Sequence, residues 1–191
     1  MSSGSTSGGN RHWDEEGCFV YKVIYDTPVG IRAEPNVAEE AKRQDKAVSP
    51  GDLVSIDLIR HVKGTDKNNT NGPYLRLSDG SGWLFVYKMG IRAMKRLPVQ
   101  MNQIWTFYGD NYPVGVCYRN HPNDHSPKLA QTVLPMQQVF CDAKVINDDT
   151  GVSFYRVQGT KNWIFDRRID ENTKKTIRTM MLPPCKISGA M

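Results

Sequence analysis

The stretch Tyr74-Leu75-Arg76-Leu77-Ser78-Asp79-Gly80-Ser81-Gly82-Trp83-Leu84-Phe85 has the pattern of a β-hairpin. Its first four residues alternate in strand fashion, Asp79-Gly80 is a turn dipeptide, and an aromatic, β-prone run follows Gly82. The pattern occurs again 80 residues later, and three positions of the two copies coincide: Arg76 with Arg156, Trp83 with Trp163 and Phe85 with Phe165. The repetition predicts two similar β units.

The repeat continues towards the N-terminus with an offset of 85 residues. The matched positions are Pro28-Val29-Gly30-Ile31 with Pro113-Val114-Gly115-Val116, and Val48, Pro50 and Val54 with Val133, Pro135 and Val139. The second copy is therefore five residues shorter between Ile56 and Tyr74. In the first copy this interval holds the polar run from Lys63 to Gly72, and length changes of this kind belong in exposed loops.

These offsets predict two tandem barrels within one chain of 191 residues, at residues 18–99 and 103–182. Flexible tails are expected at 1–17 and at 183–191, where Pro183-Pro184 would end the ordered structure. The linker from Pro98 to Gln103 is short, and Met101, Ile104 and Trp105 give it apolar anchors. We therefore expect the two barrels to pack on each other.

The first copy also predicts individual strands and loops. The run from Leu53 to Ile59 carries polar residues at Ser55 and Asp57, which is the period-two pattern of a half-buried strand. Val37 to Lys46 is polar and is expected to be a loop. After Phe85, every second residue is apolar, which predicts a single closing strand. These apolar residues are Tyr87, Met89, Ile91 and Ala93.

Composition narrows the class of protein only a little. The net charge of +5 is compatible with nucleic acid or an acidic partner. The sequence has no apolar run near the roughly 18 residues that a membrane span needs. The first ten residues are rich in Ser and Gly and lack the apolar core of a signal peptide. We expect an intracellular, cytoplasmic protein.

The cysteines and histidines do not form a recognisable catalytic or metal-binding motif. The four cysteines are far apart, whereas metal ligands are usually paired at close spacing. Cys117 and Cys141 fit small buried hydrophobic positions, and a disulfide between them is compatible with the sequence. His121 and His125 flank prolines, which disfavour the helix that usually holds such a pair. We expect no enzyme activity, no cofactor and no metal.

The order of these elements resembles the bacterial-type Src homology 3 domain. The residues that carry the resemblance are Ile31-Arg32, Gly51-Asp52 and Gly82-Trp83. It covers residues 19–97 well and 104–170 loosely, since Met136-Gln137 and Asn162 stand where the first copy has Gly51-Asp52 and Gly82. The resemblance implies an all-β protein of two small barrels that bind peptides, cell-wall glycan or partner proteins.

The large residues of the two hairpins are the candidate ligand-binding residues, namely Tyr74, Arg76, Trp83, Tyr87, Tyr155 and Trp163. Each tryptophan is either a core residue or the floor of a groove for an extended peptide. In the first case it stabilises the barrel, and in the second it binds the ligand. The acidic residues Glu34, Glu39 and Glu40 would favour basic ligands at such a groove. Trp13 could likewise cap the first core or be an exposed docking residue.

Two other classes of function remain open. A basic strip follows the first hairpin, at Lys88, Arg92, Lys95 and Arg96. Cations interleaved with aromatic residues are typical of single-stranded nucleic-acid binding. Alternatively, the protein is a structural subunit in which both barrels pack into a larger assembly. The sequence leaves the ligand and the oligomeric state undetermined.

Overall fold

The structure is a computed structural model, and it describes residues 11–35, 42–63, 72–108, 115–134, 137–169, 176–178 and 180–185. The regular structure of these residues is entirely β. The first half of the chain contains β1 (Arg11–Val23), β2 (Val29–Arg32), β3 (Lys42–Val48), β4 (Leu53–Lys63), β5 (Tyr74–Leu77), β6 (Trp83–Phe85), β7 (Tyr87–Lys88), β8 (Ile91–Arg92) and β9 (Met94–Leu97).

The second half contains β10 (Gln100–Tyr108), β11 (Val116–Arg119), β12 (Lys128–Val133), β13 (Gln138–Ile146), β14 (Ser153–Val157), β15 (Trp163–Phe165), β16 (Arg167–Ile169), β17 (Thr176–Arg178) and β18 (Met180–Cys185). Each half forms a seven-stranded antiparallel sheet and a two-stranded hairpin. The strand orders are β3-β2-β6-β5-β4-β1-β9 and β12-β11-β15-β14-β13-β10-β18. The second sheet thus repeats the strand order of the first.

Each sheet curls around a hydrophobic core of its own. The first core is centred on residues such as Ile56, Leu75 and Leu84, and the second on Phe154 and Ile164. Among the described residues, the two outermost strands of each sheet do not pair with each other. The described sheets are therefore open half-barrels.

At β2 and β11, the offset between corresponding residues of the two halves differs from the 85 residues that the sequence predicted. Arg32 is the cross-strand partner of Trp83, and Arg119 is the partner of Trp163. Arg32 and Arg119 are 87 residues apart, so the predicted offset of 85 is wrong here by two residues. Side chains alternate between the two faces of a strand, so a slip of two preserves the apolar pattern that guided the prediction.

The chain termini are more ordered than predicted. β1 begins at Arg11 instead of residue 18, because Arg11 to Glu16 pair with the end of β4, and Arg60 binds Asp14 there. Pro183-Pro184 do not end the structure but lie in β18. Because β18 is an edge strand, one of its sides has no neighbouring strand among the described residues, and proline can be placed there without breaking a hydrogen bond of the sheet. The expected loop up to Lys46 is also partly strand, since β3 starts at Lys42.

The predicted closing strand is instead a hairpin followed by β9. β7 and β8 are joined by a turn at Met89 and Gly90, which have φ angles of 50° and 80°. Because of this turn, Met89 and Ile91 are 84% and 59% exposed instead of facing the core. The long polar loop at 64–71 lies outside the described residues.

The two halves pack on each other, as expected, but through different residues from those predicted. Three residues from strands of the first half belong to the core of the second half, namely Val20, Leu53 and Leu97. Met101, one of the predicted anchors, is 37% exposed, and the side chains of Ile104 and Trp105 lie outside the description. Since the shared core residues are buried, the halves form a common hydrophobic unit.

Polar contacts surround this shared core. Lys22 is buried between two carboxylates of the second half, with its Nζ 2.7 Å from Asp148 Oδ1 and 2.5 Å from Asp149 Oδ1. His121 accepts a hydrogen bond from the Ser55 backbone N–H, and its Nε2 lies 3.4 Å from Asp79 Oδ2. His121, predicted to lie in an exposed loop, is thus a residue of the contact between the halves.

This contact is expected to weaken in acid. Hydrogen bonds from Lys22 and Lys95 lower the pKa of Asp148 to about 2. Burial acts to raise the pKa of Asp79, but hydrogen bonds from His121 and Ser81 outweigh it and hold the pKa below its usual range. A carboxylate with a lowered pKa stabilises the folded state above its unfolded pKa, and this stabilisation is lost as the pH falls through the folded pKa.

We therefore expect the melting temperature to fall steadily between about pH 4 and about pH 2. Thermal melts across this range test the expectation, and Asp148→Asn is the matched variant because it removes one of the titrating groups. The variant should show a shallower dependence on pH than the unmodified chain. Parallel curves for the two proteins would show that Asp148 contributes nothing to the acid response.

Candidate ligand-binding face

The outer side of the β5–β6 hairpin carries an aromatic ring among arginines. Trp83 pairs with Arg76 on one side and with Arg32 on the other. The guanidinium of Arg60, on the neighbouring β4, lies 5.2 Å from the centre of the Trp83 ring. We refer to Arg32, Arg60, Arg76 and Trp83 as the Trp83 face. The Trp83 side chain packs in part against the first core and is otherwise exposed, so only the exposed part of its ring can contact a ligand.

Gly82 sets the geometry of this face. Its φ of 145° is unfavourable for any residue with a side chain, and a Cβ there would overlap the carbonyl oxygen of Arg32. The absence of a side chain allows β2 to approach the hairpin closely. Arg32 is consequently held beside Trp83. The sequence marked Gly82-Trp83 as part of the family resemblance, and this contact gives a physical reason for that glycine.

Gly82→Ala is expected to lower the free energy of unfolding by more than about 2 kcal/mol, because it combines backbone strain with a clash against main-chain atoms. Chemical denaturation measures the change. Gly80→Ala is the matched control: Gly80 also has a positive φ, 76°, but a Cβ added there would have no atom within 4 Å. The control should cost about 1 kcal/mol. Equal losses would mean that the close approach of β2 is unimportant.

Two carboxylates hold the arginines of the face in place. Arg60 donates two hydrogen bonds to Asp14, at 2.9 and 2.7 Å, and these lower the pKa of Asp14. Arg76 Nε lies 2.7 Å from Asp57 Oδ1, and Lys161 of the second half lies 2.8 Å from Asp57 Oδ2. Burial acts to raise the pKa of Asp57, yet these two hydrogen bonds lower it overall. Both carboxylates are therefore ionised at neutral pH.

Among the residues of this cluster, the cations outnumber the carboxylates. It has the three arginines and the adjacent Lys161 against the two carboxylates Asp14 and Asp57. Arginines beside an exposed aromatic ring attract carboxylates and stack on apolar or aromatic side chains. The chemistry of the face fits an extended protein segment that carries acidic and apolar residues. Such a segment is acidic, whereas the acidic residues around Glu34 led the sequence analysis to predict a basic ligand.

The second half contains the same hairpin, but there it is covered. Trp163 pairs with Arg156 and Arg119, as Trp83 pairs with Arg76 and Arg32. The Asp142–Arg156 ion pair, at 2.8 Å, corresponds to Asp57–Arg76. Trp163 is nevertheless 0% exposed and belongs to the core that includes Val20, Leu53 and Leu97 of the first half. The two halves therefore offer equivalent hairpins, and only the first is open.

The other predicted ligand-binding residues are less suitable for contact with a ligand. Tyr74 and Tyr155 are each only 4% exposed, and burial raises the pKa of Tyr155 to about 12. Together with Trp163, they are core residues, which corrects the prediction for these three. Their rings fill the space inside the curled sheets, where large aromatic side chains contribute most to stability. Tyr87 is half-buried against the first core.

The predicted basic strip does not form one continuous surface. Lys88 lies over the ring of Tyr25 at 4.6 Å, and Arg92 donates a hydrogen bond to the carbonyl of Met94. Lys95 is 3.0 Å from Asp148, and Arg96 is 3.7 Å from Glu15. The hairpin turn at Met89 distributes the four cations over three strands, β7, β8 and β9, so the assumption of one straight strand was wrong.

The sequence did not identify Arg32 and Arg60 as site residues, and it left Trp13 ambiguous. Trp13 is 52% exposed and stacks on His61, with ring centroids 4.6 Å apart, so it is a surface residue and not a cap on the core. Arg60 could have been found by extending the alternation of β4 beyond Ile59. The sequence marked Arg32 only through the family resemblance, because its position beside Trp83 depends on the approach of β2 to Gly82.

The cysteines have the character of structural residues. Cys18, Cys117 and Cys141 are free thiols, so the compatible Cys117–Cys141 disulfide is absent. Burial raises the pKa of Cys18 and raises that of Cys141 to about 12, which disfavours the reactive thiolate in both. Within the described ranges, no cluster of His, Cys, Asp and Glu side chains could hold a metal ion. The described part of the chain also contains no helix that could cross a membrane.

The comparisons with known proteins do not identify a family. No protein-family model matches the chain, and no curated protein matches it significantly. Among solved structures, it is similar to a "putative autolysin" from Listeria monocytogenes, with 14% sequence identity and a TM-score of 0.31. The alignment covers 83% of this chain and 67% of that one.

Proposed function

We propose that the chain is a non-catalytic binding or scaffolding protein, built from two tandem Src homology 3-like barrels, that holds a protein segment on the Trp83 face. The observation that carries the proposal is the contrast between two equivalent tryptophans. Trp163 is fully buried in a core that includes strand residues of the first half, whereas Trp83 is partly exposed among Arg32, Arg60 and Arg76. An open aromatic ring framed by arginines is the composition of a protein-binding hot spot.

The repeated strand order supports the tandem arrangement, and the open half-barrels resemble incomplete small barrels. In such a module the strands form a rigid support, and the outer side of one hairpin is free to bind. The segment that fits best is extended, because the Trp83 face crosses four neighbouring strands, β2, β6, β5 and β4. Carboxylates of the segment would meet the arginines, and an apolar side chain would lie on the Trp83 ring.

The proposal is tested with a random library of short peptides. The full chain should select peptides rich in acidic and apolar residues, and Trp83→Ala should weaken their binding by about 1–3 kcal/mol, as measured by fluorescence anisotropy. Trp13→Ala is the matched control, because Trp13 is an exposed tryptophan at a different place on the same half. It should leave binding unchanged.

Single-stranded oligonucleotides, measured at several salt concentrations, distinguish the competing class of function. Binding that is steeply salt-dependent, lost on neutralising Lys88 and Arg92, and unaffected by Trp83→Ala would favour a nucleic-acid-binding protein over the proposal. Selection of peptides that bind Trp83→Ala as well as the unmodified chain would remove the Trp83 face as the binding site.

A further inference from the structure

The contact between the two halves joins two different surfaces. The first half contributes the outer sides of β1, β4 and β9, which we call the outer sheet face. The residues of this face in the contact are Val20, Lys22, Leu53, Ser55 and Leu97. The second half contributes its β14–β15 hairpin and neighbouring loops, through Lys161, His121 and Asp148. The contact is therefore heterologous: unlike surfaces of two similar units meet.

The hairpin that the second half uses has an open counterpart in the first half. Lys161, beside Trp163, reaches across to Asp57, and Cys18 of the first half packs against the core that contains Trp163. These contacts place the first half next to the Arg156–Trp163 hairpin. The equivalent hairpin of the first half is the Trp83 face, where the Arg76 side chain is 41% exposed.

The outer sheet face has an open counterpart in the second half as well. Phe140 of β13 occupies the position that Ser55 has in β4. The Phe140 carbonyl accepts a hydrogen bond from the Gln158 N–H, just as the Ser55 carbonyl accepts one from the Ser78 N–H. Ser55 is 3% exposed under the second half, whereas Phe140 is 51% exposed. Asp142 follows two residues later on the same strand. The open outer face thus presents an aromatic ring, and the nearby Asp142 carboxylate is paired with Arg156.

We propose that a second copy of this chain joins these two open surfaces, so that the Phe140 side of one copy packs on the Trp83 face of the next. The proposal rests on the proposed function and names the partner. The two surfaces are complementary, since the Phe140 ring can lie on the Trp83 ring and beside the arginines that surround it. Each copy has one surface of each kind, so the association continues head to tail into a ring or an open chain.

Sedimentation velocity over a range of protein concentrations tests this arrangement. The unmodified chain should show a mass that grows with concentration. Phe140→Ser, which installs the residue found in the first half, and Trp83→Ala should each weaken association by about ten-fold or more. Ile91→Ser is the matched control, because Ile91 is 59% exposed and belongs to neither of the two surfaces. It should associate like the unmodified chain.

Mixing the two variants identifies the kind of contact. Phe140→Ser retains an intact Trp83 face and Trp83→Ala retains an intact Phe140 side, so an equimolar mixture should form a heterodimer that grows no further. Thermal melts check that both variants fold. Arg60→Glu, which reverses the charge over the Trp83 ring, replaces Trp83→Ala in the mixture if that variant does not fold.

Three results would overturn the inference: a single monomeric mass at all concentrations, association unchanged in Phe140→Ser, or a mixture that stays monomeric. The first of these, combined with peptide binding that depends on Trp83, would leave the proposed function standing and reject only self-association. Loss of Trp83-dependent peptide binding together with persistent association through Phe140 would instead reject the Trp83 face as the partner surface.

Discussion

Trp163→Ala is expected to lower the free energy of unfolding by about 3–5 kcal/mol, the usual cost of removing a large buried aromatic side chain. Trp163 is 0% exposed and packs in the core that both halves share. Removal of its ring leaves a cavity that the curled sheet cannot close, because neighbouring strands are fixed by their hydrogen bonds. Chemical denaturation of the full chain measures the change.

Trp83→Ala is the internal comparison, since Trp83 has the same position in the other hairpin. Its ring is partly exposed and packs on the edge of the first core and on Arg60, so we expect a smaller loss of about 1–2 kcal/mol. A loss at Trp83 as large as that at Trp163 would make both tryptophans architectural. The Trp83 face would then lose its main residue.

This pair of tryptophans shows where prediction from the sequence ends. The hairpins were found from local signals: Asp79-Gly80 makes the turn, with Gly80 at a φ of 76°, and the alternation gives the strands. The same signals are present around Trp163. The core around Trp163 includes Val20 and Leu53 of the other half, more than 100 positions away along the chain, and local patterns carry no information about that.

The strand β4 illustrates the same limit. Its alternation correctly placed Ser55 and Asp57 on the side away from the first core, and this suggested a solvent-facing side. Ser55 is instead buried, and Asp57 binds Lys161 of the second half. Periodicity of two tells which residues share a face of a sheet, but not whether water or another sheet covers it.

The N-terminal residues were misjudged for a different reason. Trp13-Asp14-Glu15-Glu16 is charged and follows a Ser/Gly-rich run, so its composition resembled that of a tail. Its order comes from pairing with β4, an interaction across more than 40 residues, and from the Asp14–Arg60 ion pair. A pairing partner at this distance leaves no local signature in the sequence. The backbone N–H and C=O groups of a strand as long as β4 nevertheless require a partner strand.

Leu53→Ala is expected to destabilise the second half although the residue belongs to a strand of the first. Leu53 lies in β4, is 1% exposed, and packs in the core of the second half. Its truncation should lower the free energy of unfolding by about 2–5 kcal/mol. Hydrogen exchange followed by mass spectrometry should show faster exchange in β13, β14 and β15.

Leu75→Ala is the control, because Leu75 is equally buried but lies in the first core, so its local effect should be in β4, β5 and β6. If Leu53→Ala accelerated exchange only within the first half, the shared core would not be what holds the two halves together, and the internal contact could no longer serve as the template for contact between copies.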